Sequence, residues 1–154
     1  FTEDTKMVSG AENKKGNYEA YVALELVSTR VHAESKKDLD PIPMMNLNIA
    51  DNGGAGAIVV GDKIQNLDKI DLDSIQVEID LNGKKSEPYF KGEKRAGPIE
   101  AIKCIIDEFK DNPITFKKGD WFMTGSVIQP FKVSKGDKLK VDFRTLGKIS
   151  IDFI

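Results

Sequence analysis

The protein has 154 residues, of which 40% are hydrophobic and 31% charged, with a formal net charge of -2 and an isoelectric point near 5.5. These values suit a globular protein that buries a core, so we expect residues 1–154 to form one domain. Interspersed acidic and basic residues argue against a nucleic-acid partner. We find no signal peptide and no run of about 20 apolar residues, which predicts a cytoplasmic protein that does not bind membranes.

The amino-terminal segment 1–17 is polar and has no sustained periodicity, which predicts a loop. The chain begins with Phe1 instead of Met, so we expect a processed product or a portion of a longer polypeptide.

An apolar run that starts near Val22 predicts a strand to about Arg30. Glu25 lies in the middle of this run. A buried carboxylate needs a cation, a metal or backbone donors to offset the cost of burial. The alternative is that Glu25 lies on a solvent-exposed face of the strand.

The segment 31–46 reads as a charged connection. Arg30, just before it, could pair with a substrate carboxylate or form a salt bridge with a neighbouring acid. His32 is the single histidine, and lone histidines are more often surface or structural residues than catalytic ones.

The segment 47–62 combines a turn-rich tetrad, Asp51 to Gly54, with an apolar run at 57–60 that predicts a buried strand. Its glycines do not form a nucleotide-binding loop, because no Lys-Ser/Thr pair and no G-x-G-x-x-G pattern accompany them. Residues 75–81 alternate apolar and polar and end at Asn82-Gly83, which predicts a half-exposed strand and a tight turn.

A basic segment, 84–97, precedes the clearest helix signal, and we expect it to form a flexible loop. Pro98 suits a first helical turn, and apolar residues recur at helical spacing up to Asn112-Pro113, which predicts a helix over 98–111. Cys104 lies off this apolar stripe and is expected to be inert. As the single cysteine, it excludes an intramolecular disulfide and a cysteine-based zinc site.

The segment 114–153 reads as consecutive strands, with an apolar run at 121–128 that suits a strand buried on both faces. Two similar turns, Lys117 to Asp120 and Ser134 to Asp137, divide it. Alternating residues on both sides of Leu146-Gly147 then predict a hairpin with one apolar face.

These blocks, in this order, resemble the carboxyl-terminal region of the fumarylacetoacetate hydrolase superfamily, and in particular its 2-keto-4-pentenoate hydratase and 4-oxalocrotonate decarboxylase branch. The resemblance covers nearly the whole chain from about Val22 to Phe153. It is carried by the following blocks: 23–31 (ALELVSTRV), Ala50-Asp51-Asn52, Gly119-Asp120, Thr124-Gly125, Gly136-Asp137, and Leu146-Gly147 with Phe153.

The resemblance implies an α+β, β-rich fold with a mixed, strongly curled sheet and few peripheral helices. It also implies a metal-dependent lyase of aromatic catabolism, a homo-oligomer that acts on a small 2-keto or 2-hydroxy-dienoate acid. Glu25 would be a ligand of Mg²⁺ or Mn²⁺, Asp51 would be catalytic, and Asn52, Thr124 and Arg30 would bind the substrate.

Two departures from the family pattern leave alternatives open. Gly54 stands where the family usually has a serine, and the paired glutamates that supply the other two metal ligands belong to an amino-terminal region ahead of this one. A hard divalent ion needs several oxygen ligands, which Glu25 alone does not provide. The alternatives are therefore a noncatalytic binding or structural relative on the same scaffold, and a carbon–carbon hydrolase of acylpyruvate type.

Overall fold

The fold is described from a computed structural model, which describes residues 1–9, 17–31, 40–86 and 97–154. Strands outnumber helices in these ranges, and the expectation of a β-rich α+β fold is confirmed at that level. The strands are β1 Thr5–Lys6, β2 Tyr21–Val27, β3 Ala55–Lys63, β4 Glu78–Leu81, β5 Lys84–Ser86, β6 Thr115–Phe116, β7 Lys138–Asp142 and β8 Lys148–Asp152. The helices are α1 Pro41–Ala50 and α2 Pro98–Glu108.

The strands form three separate sheets instead of the single mixed sheet that we expected. These are the pairs β1-β6 and β2-β3 and a four-stranded sheet in the order β5-β4-β7-β8. The pairs β1-β6, β4-β5, β4-β7 and β7-β8 are antiparallel. Among the described helices, none has the length and apolar character needed to cross a bilayer.

The chain divides into two compact units, the first formed by Phe1–Val22 with Asp62–Ile154 and the second by Ala23–Gly61. Each unit is described by itself. The prediction of a single domain over 1–154 stays a prediction.

The four-stranded sheet of the first unit follows the alternation in its sequence. In β4 and β7, Ile79 pairs with Val141 in the register, and Val141 pairs with Ile149 of β8. All three side chains are at most 5% exposed, so this face of the sheet forms a core. The predicted tight turn at Asn82-Gly83 joins β4 to β5, with φ of 56° and 84° at the two positions, as a two-residue hairpin requires.

The two similar turns found in the sequence have the same structure. In each, the backbone N–H of the aspartate donates to the carbonyl three residues earlier, and the preceding glycine has a φ of 92°. The carboxylates of Asp120 and Asp137 in turn accept the N–H of Lys117 and Ser134, at 2.8 and 2.7 Å. The repeated Gly-Asp pairs therefore close turns, since glycine adopts the left-handed conformation at no steric cost.

A second core cluster joins the two chain segments, 1–22 and 62–154, that make up the first unit. Met7, Ile102 and Ile106 are buried together, and Phe1, Phe116 and Phe122 pack against them. Met7 follows β1, which pairs with β6, although the sequence predicted only a loop over 1–17. The helix predicted at 98–111 is confirmed as α2, and its buried face lies on this cluster.

Two further sequence expectations are wrong. The run 121–128 forms no regular strand, and Trp121 and Met123 are 56% and 36% exposed. The connection predicted over 31–46 contains the start of α1, whose first turn accommodates Pro41 and Pro43 because the first backbone N–H groups of a helix have no intrahelical partner. The basic loop expected at 84–97 lies mostly at 87–96, outside the described residues. His32 also lies outside the described residues.

Candidate functional site

The second unit brings two of the motif blocks into direct contact. Asp51, at the end of α1, accepts hydrogen bonds from residues at the end of β2, which are more than 20 positions away in sequence. The Thr29 hydroxyl donates to Asp51 Oδ2 at 2.8 Å, and the Arg30 backbone N–H donates to the same carboxylate at 3.2 Å. The Arg30 guanidinium completes the contact through Nη1, 3.1 Å from Asp51 Oδ1.

Arg30 is held by more than its ion pair. Its Nη1 also donates to the Asp51 carbonyl at 3.0 Å, and its Nη2 donates to the carbonyl of Ala55 at 3.0 Å. The guanidinium therefore joins the end of β2 to both sides of the turn that leads into β3. Of the two possibilities in the sequence, a salt bridge with a neighbouring acid is the one observed within this chain.

The Asp51 side chain is 3% exposed, whereas that of Arg30 is 62% exposed. The hydrogen bond from Thr29, followed by those from Arg30, holds the pKa of Asp51 below its ordinary value, against the opposing effect of burial. A carboxylate that is ionised and saturated with donors is a weak proton acceptor. This environment favours a positioning role for Asp51, and its part in the chemistry stays a prediction.

Backbone geometry next to Asp51 explains the glycines of this block. Asn52, Gly53 and Gly54 all have positive φ, from 53° to 74°. The Gly54 carbonyl accepts the N–H of Ser28 at 2.7 Å, and a Cβ on Gly54 would lie 3.2 Å from Val27 Cγ1. The chain thus turns tightly against the end of β2, in a conformation that glycine adopts more easily than serine.

Gly56, at the start of β3, permits an even closer approach. A Cβ there would lie 2.6 Å from the Leu26 carbonyl oxygen and 3.1 Å from Ser28 Cβ. Since backbone cannot move aside as a flexible side chain can, only glycine allows β3 to pair this closely with β2. The strand itself is less buried than the sequence predicted, with Ile58 and Val60 42% and 37% exposed.

Glu25 lies on β2 and is exposed. Among the described residues, no three His, Cys, Asp or Glu side chains lie close enough together to hold a metal ion. These residues by themselves therefore do not fit the octahedral oxygen shell of Mg²⁺. The ligand role of Glu25 stays a prediction.

The remaining predicted site residues have separate settings. Asn52 is exposed in the short 3-10 turn after α1. Thr124 is partly buried in an irregular segment of the first unit, so its role stays a prediction as well.

Thr29 is the residue of this polar cluster that the sequence did not predict. Its oxygen accepts the Val31 N–H at 3.2 Å while its hydroxyl donates to Asp51. A hydroxyl residue beside an arginine at a strand end was the available signal, because such residues commonly bond to nearby backbone groups.

Comparisons with known proteins find relatives that are named as decarboxylases and hydratases, in agreement with the resemblance. The chain is similar to the 4-oxalocrotonate decarboxylase of Pseudomonas putida, with 24% identity over 106 residues, 69% of this chain and 40% of that protein. It is also similar to the 2-oxo-hept-4-ene-1,7-dioate hydratase of Escherichia coli, with 24% identity over 132 residues, 86% of this chain and 49% of that protein.

A third relative is the 2-hydroxyhexa-2,4-dienoate hydratase of Comamonas testosteroni, 23% identical over 129 residues, 84% of this chain and 46% of that protein. The chain thus spans about half the length, or less, of the curated relatives it matches. No family model matches the chain.

Proposed function

We propose that this chain is part of a lyase, a hydratase or decarboxylase that acts on 2-keto or 2-hydroxy-dienoate acids. One observation carries the proposal beyond similarity of names. The blocks 23–31 and 50–52, which are among those that carry the resemblance, meet through Thr29, Arg30 and Asp51 in an ordered polar cluster.

The proposed substrates carry a carboxylate next to a 2-oxygen. A cation at the carboxylate end stabilises the negative charge that spreads onto the 2-oxygen during hydration or decarboxylation. Arg30 is the group that we propose for this end of the substrate, and Asn52, in the same unit, is a proposed pocket residue. Asp51 would act on the substrate through Arg30.

The described residues supply one proposed metal ligand. Glu25 remains our proposed ligand for Mg²⁺ or Mn²⁺, but a complete shell would need further oxygen ligands from outside the described residues.

The same observation supports a second candidate function. A noncatalytic binding or structural relative needs neither a metal shell nor the serine that the family usually has at Gly54. The polar cluster of Arg30 and Asp51 would then act only to hold the turn before β3 against β2.

Calorimetric titration with Mg²⁺ and with Mn²⁺, followed by assays of dienoate hydration and decarboxylation, separates the two functions. A lyase of the proposed type binds metal and turns over at least one substrate, and Glu25→Gln loses both properties. Glu108→Gln, at the exposed end of α2, is the matched control and retains them. Absence of turnover in the full-length wild-type protein, with or without metal, would reject the lyase and favour the noncatalytic relative.

A further inference from the structure

Asp51, whose side chain is 3% exposed, and Thr29, which is itself exposed, form a support behind the exposed Arg30. The Val31 N–H donates to Thr29 Oγ1, and the Thr29 hydroxyl donates to Asp51 Oδ2. The other carboxylate oxygen of Asp51 accepts from Arg30 Nη1. This chain of hydrogen bonds fixes the carboxylate, and the carboxylate fixes one edge of the guanidinium.

The other part of the guanidinium remains accessible. An arginine side chain has five N–H donors, and the contacts to Asp51 and Ala55 use both N–H groups of Nη1 and one of Nη2. Nε–H and the second N–H of Nη2 have no acceptor among the described residues, and 62% of the side chain is exposed. Neighbouring guanidinium N–H groups of this kind bind a carboxylate in a bidentate manner.

An arginine that is already immobilised loses less conformational freedom when it binds an anion. A purely structural clasp would need neither the exposure of the side chain nor the remaining donors. The partner Asp51 also balances the charge of Arg30, so the site would select a ligand by the geometry of its hydrogen bonds more than by net charge.

We propose that Thr29 and Asp51 are positioning residues that hold Arg30 as the receptor for the carboxylate of a 2-oxo acid. This inference rests on the proposed function for the class of ligand, and it adds Thr29 to the residues that serve the site. It also assigns Asp51 to the support of Arg30, in place of proton transfer.

The test follows the Arg30 Nε–H signal by NMR during titration with pyruvate, the smallest 2-oxo carboxylate. Arg30→Lys identifies the signal by its loss and retains the charge without the fork of donors. We expect a saturable shift in the wild-type protein and none of the Arg144 signal, which belongs to the other unit.

The support is tested by Thr29→Val against Thr29→Ser. Loss of a hydrogen bond to a charged group predicts a Kd for pyruvate about tenfold larger in the valine variant. Serine restores the donor and should return the Kd to within about twofold of wild type, since only the methyl group is lost. The Arg30 Nε–H should also exchange faster with water in the valine variant, with backbone spectra confirming that each variant is folded.

An Arg30 signal that does not move with pyruvate would overturn the receptor, and equal Kd values in Thr29→Val and wild type would overturn the positioning role. Turnover of a dienoate without any shift at Arg30 would reject this inference and leave the proposed function standing. A shift at Arg30 without turnover would reject the proposed function and leave this inference standing.

Discussion

The side chain of Asn82 connects the hairpin turn between β4 and β5 to the turn that precedes β7. Its Nδ2 donates to Asp137 Oδ1 at 2.8 Å, and its Oδ1 accepts the backbone N–H of Lys138 at 2.8 Å. The Asn82 N–H also donates to the Lys138 carbonyl at 2.9 Å. Two turns that the sequence showed as separate features are thus one hydrogen-bonded structure.

Asn82→Ala should therefore destabilise the protein by about 2 kcal/mol, because it removes two side-chain hydrogen bonds at a position with positive φ. Denaturant unfolding measures the change. Asn66→Ala is the matched control, since Asn66 has nearly the same φ but makes no side-chain cap hydrogen bond. Equal losses in both variants would show that backbone conformation alone accounts for the effect.

Acid should weaken the same structure through Asp137. Its pKa is lowered by the hydrogen bond from Asn82 and then by that from the Ser134 N–H. A carboxylate with a depressed pKa in the folded state stabilises the fold fully above the unfolded value, which is 3.8 for Asp, and loses that contribution as the pH falls through the folded pKa.

We accordingly expect Asp137→Asn to be less stable than wild type at pH 7 and the difference to shrink as the pH falls below about 4. Free energies of unfolding measured between pH 7 and pH 3 check this dependence. Asp111→Asn, at an exposed position after α2, should track the wild-type protein. A difference that stays constant with pH would contradict the assignment to the Asp137 charge.

Local patterns in the sequence predicted the elements whose structure is decided locally. Asn82-Gly83 and the alternation around Leu146-Gly147 predicted the hairpins, and the apolar stripe after Pro98 predicted α2. The contact of Arg30 with Asp51 could not be predicted from the sequence, because it joins residues that are distant along the chain and depends on the φ values of residues 52–54. The motif blocks indicated these residues, but not that they bind each other.

The run 121–128 failed as a strand prediction because apolar content was its only signal. Apolar residues indicate that a segment packs against other apolar groups, but strand pairing also requires a neighbouring strand with free backbone N–H and C=O groups. Here Phe122 packs on the core cluster while Trp121 contacts Tyr21, with 5.2 Å between the ring centroids.

Trp121 is the single tryptophan, so fluorescence reports on this segment alone. At 56% exposure it should emit at a long wavelength and be quenched readily by iodide or acrylamide. Tyr21→Ala should increase the quenching, because it removes the ring that covers one side of the indole. A blue-shifted emission that resists quenching would instead support the buried strand predicted from the sequence.

Met7 provides a test of the core cluster in a segment predicted to be a loop. Met7→Ala should cost about 2–5 kcal/mol, the range for truncating a buried methionine, because the side chain is 2% exposed against Ile102 and Ile106. Val8→Ala, one position later and 36% exposed, should cost less than about 1 kcal/mol. Thermal or denaturant unfolding of the two variants measures the contrast, and similar small losses would mean that the amino-terminal segment does not contribute to the core.

Gly147, between β7 and β8, allows Asp62 to lie closer to the backbone than any other residue at this position would permit. Its φ of 132° and ψ of -173° lie in a region essentially restricted to glycine. A Cβ there would lie 2.7 Å from Asp62 Cβ and 2.8 Å from Asp62 Oδ2, the oxygen that accepts the Lys148 N–H at 3.1 Å. Substitution would therefore strain the backbone and also displace the aspartate from the start of β8.

Gly147→Ala should consequently destabilise the protein by about 3 kcal/mol or more, the sum expected for a disallowed backbone and a steric overlap. Gly136→Ala is the milder comparison, because Gly136 also has positive φ, at 92°, but no described atom lies within 4 Å of the added Cβ. It should lose about 1 kcal/mol from strain alone. Equal losses in denaturant unfolding would mean that neither the contact with Asp62 nor the more restricted backbone at Gly147 adds to the ordinary cost of a positive φ.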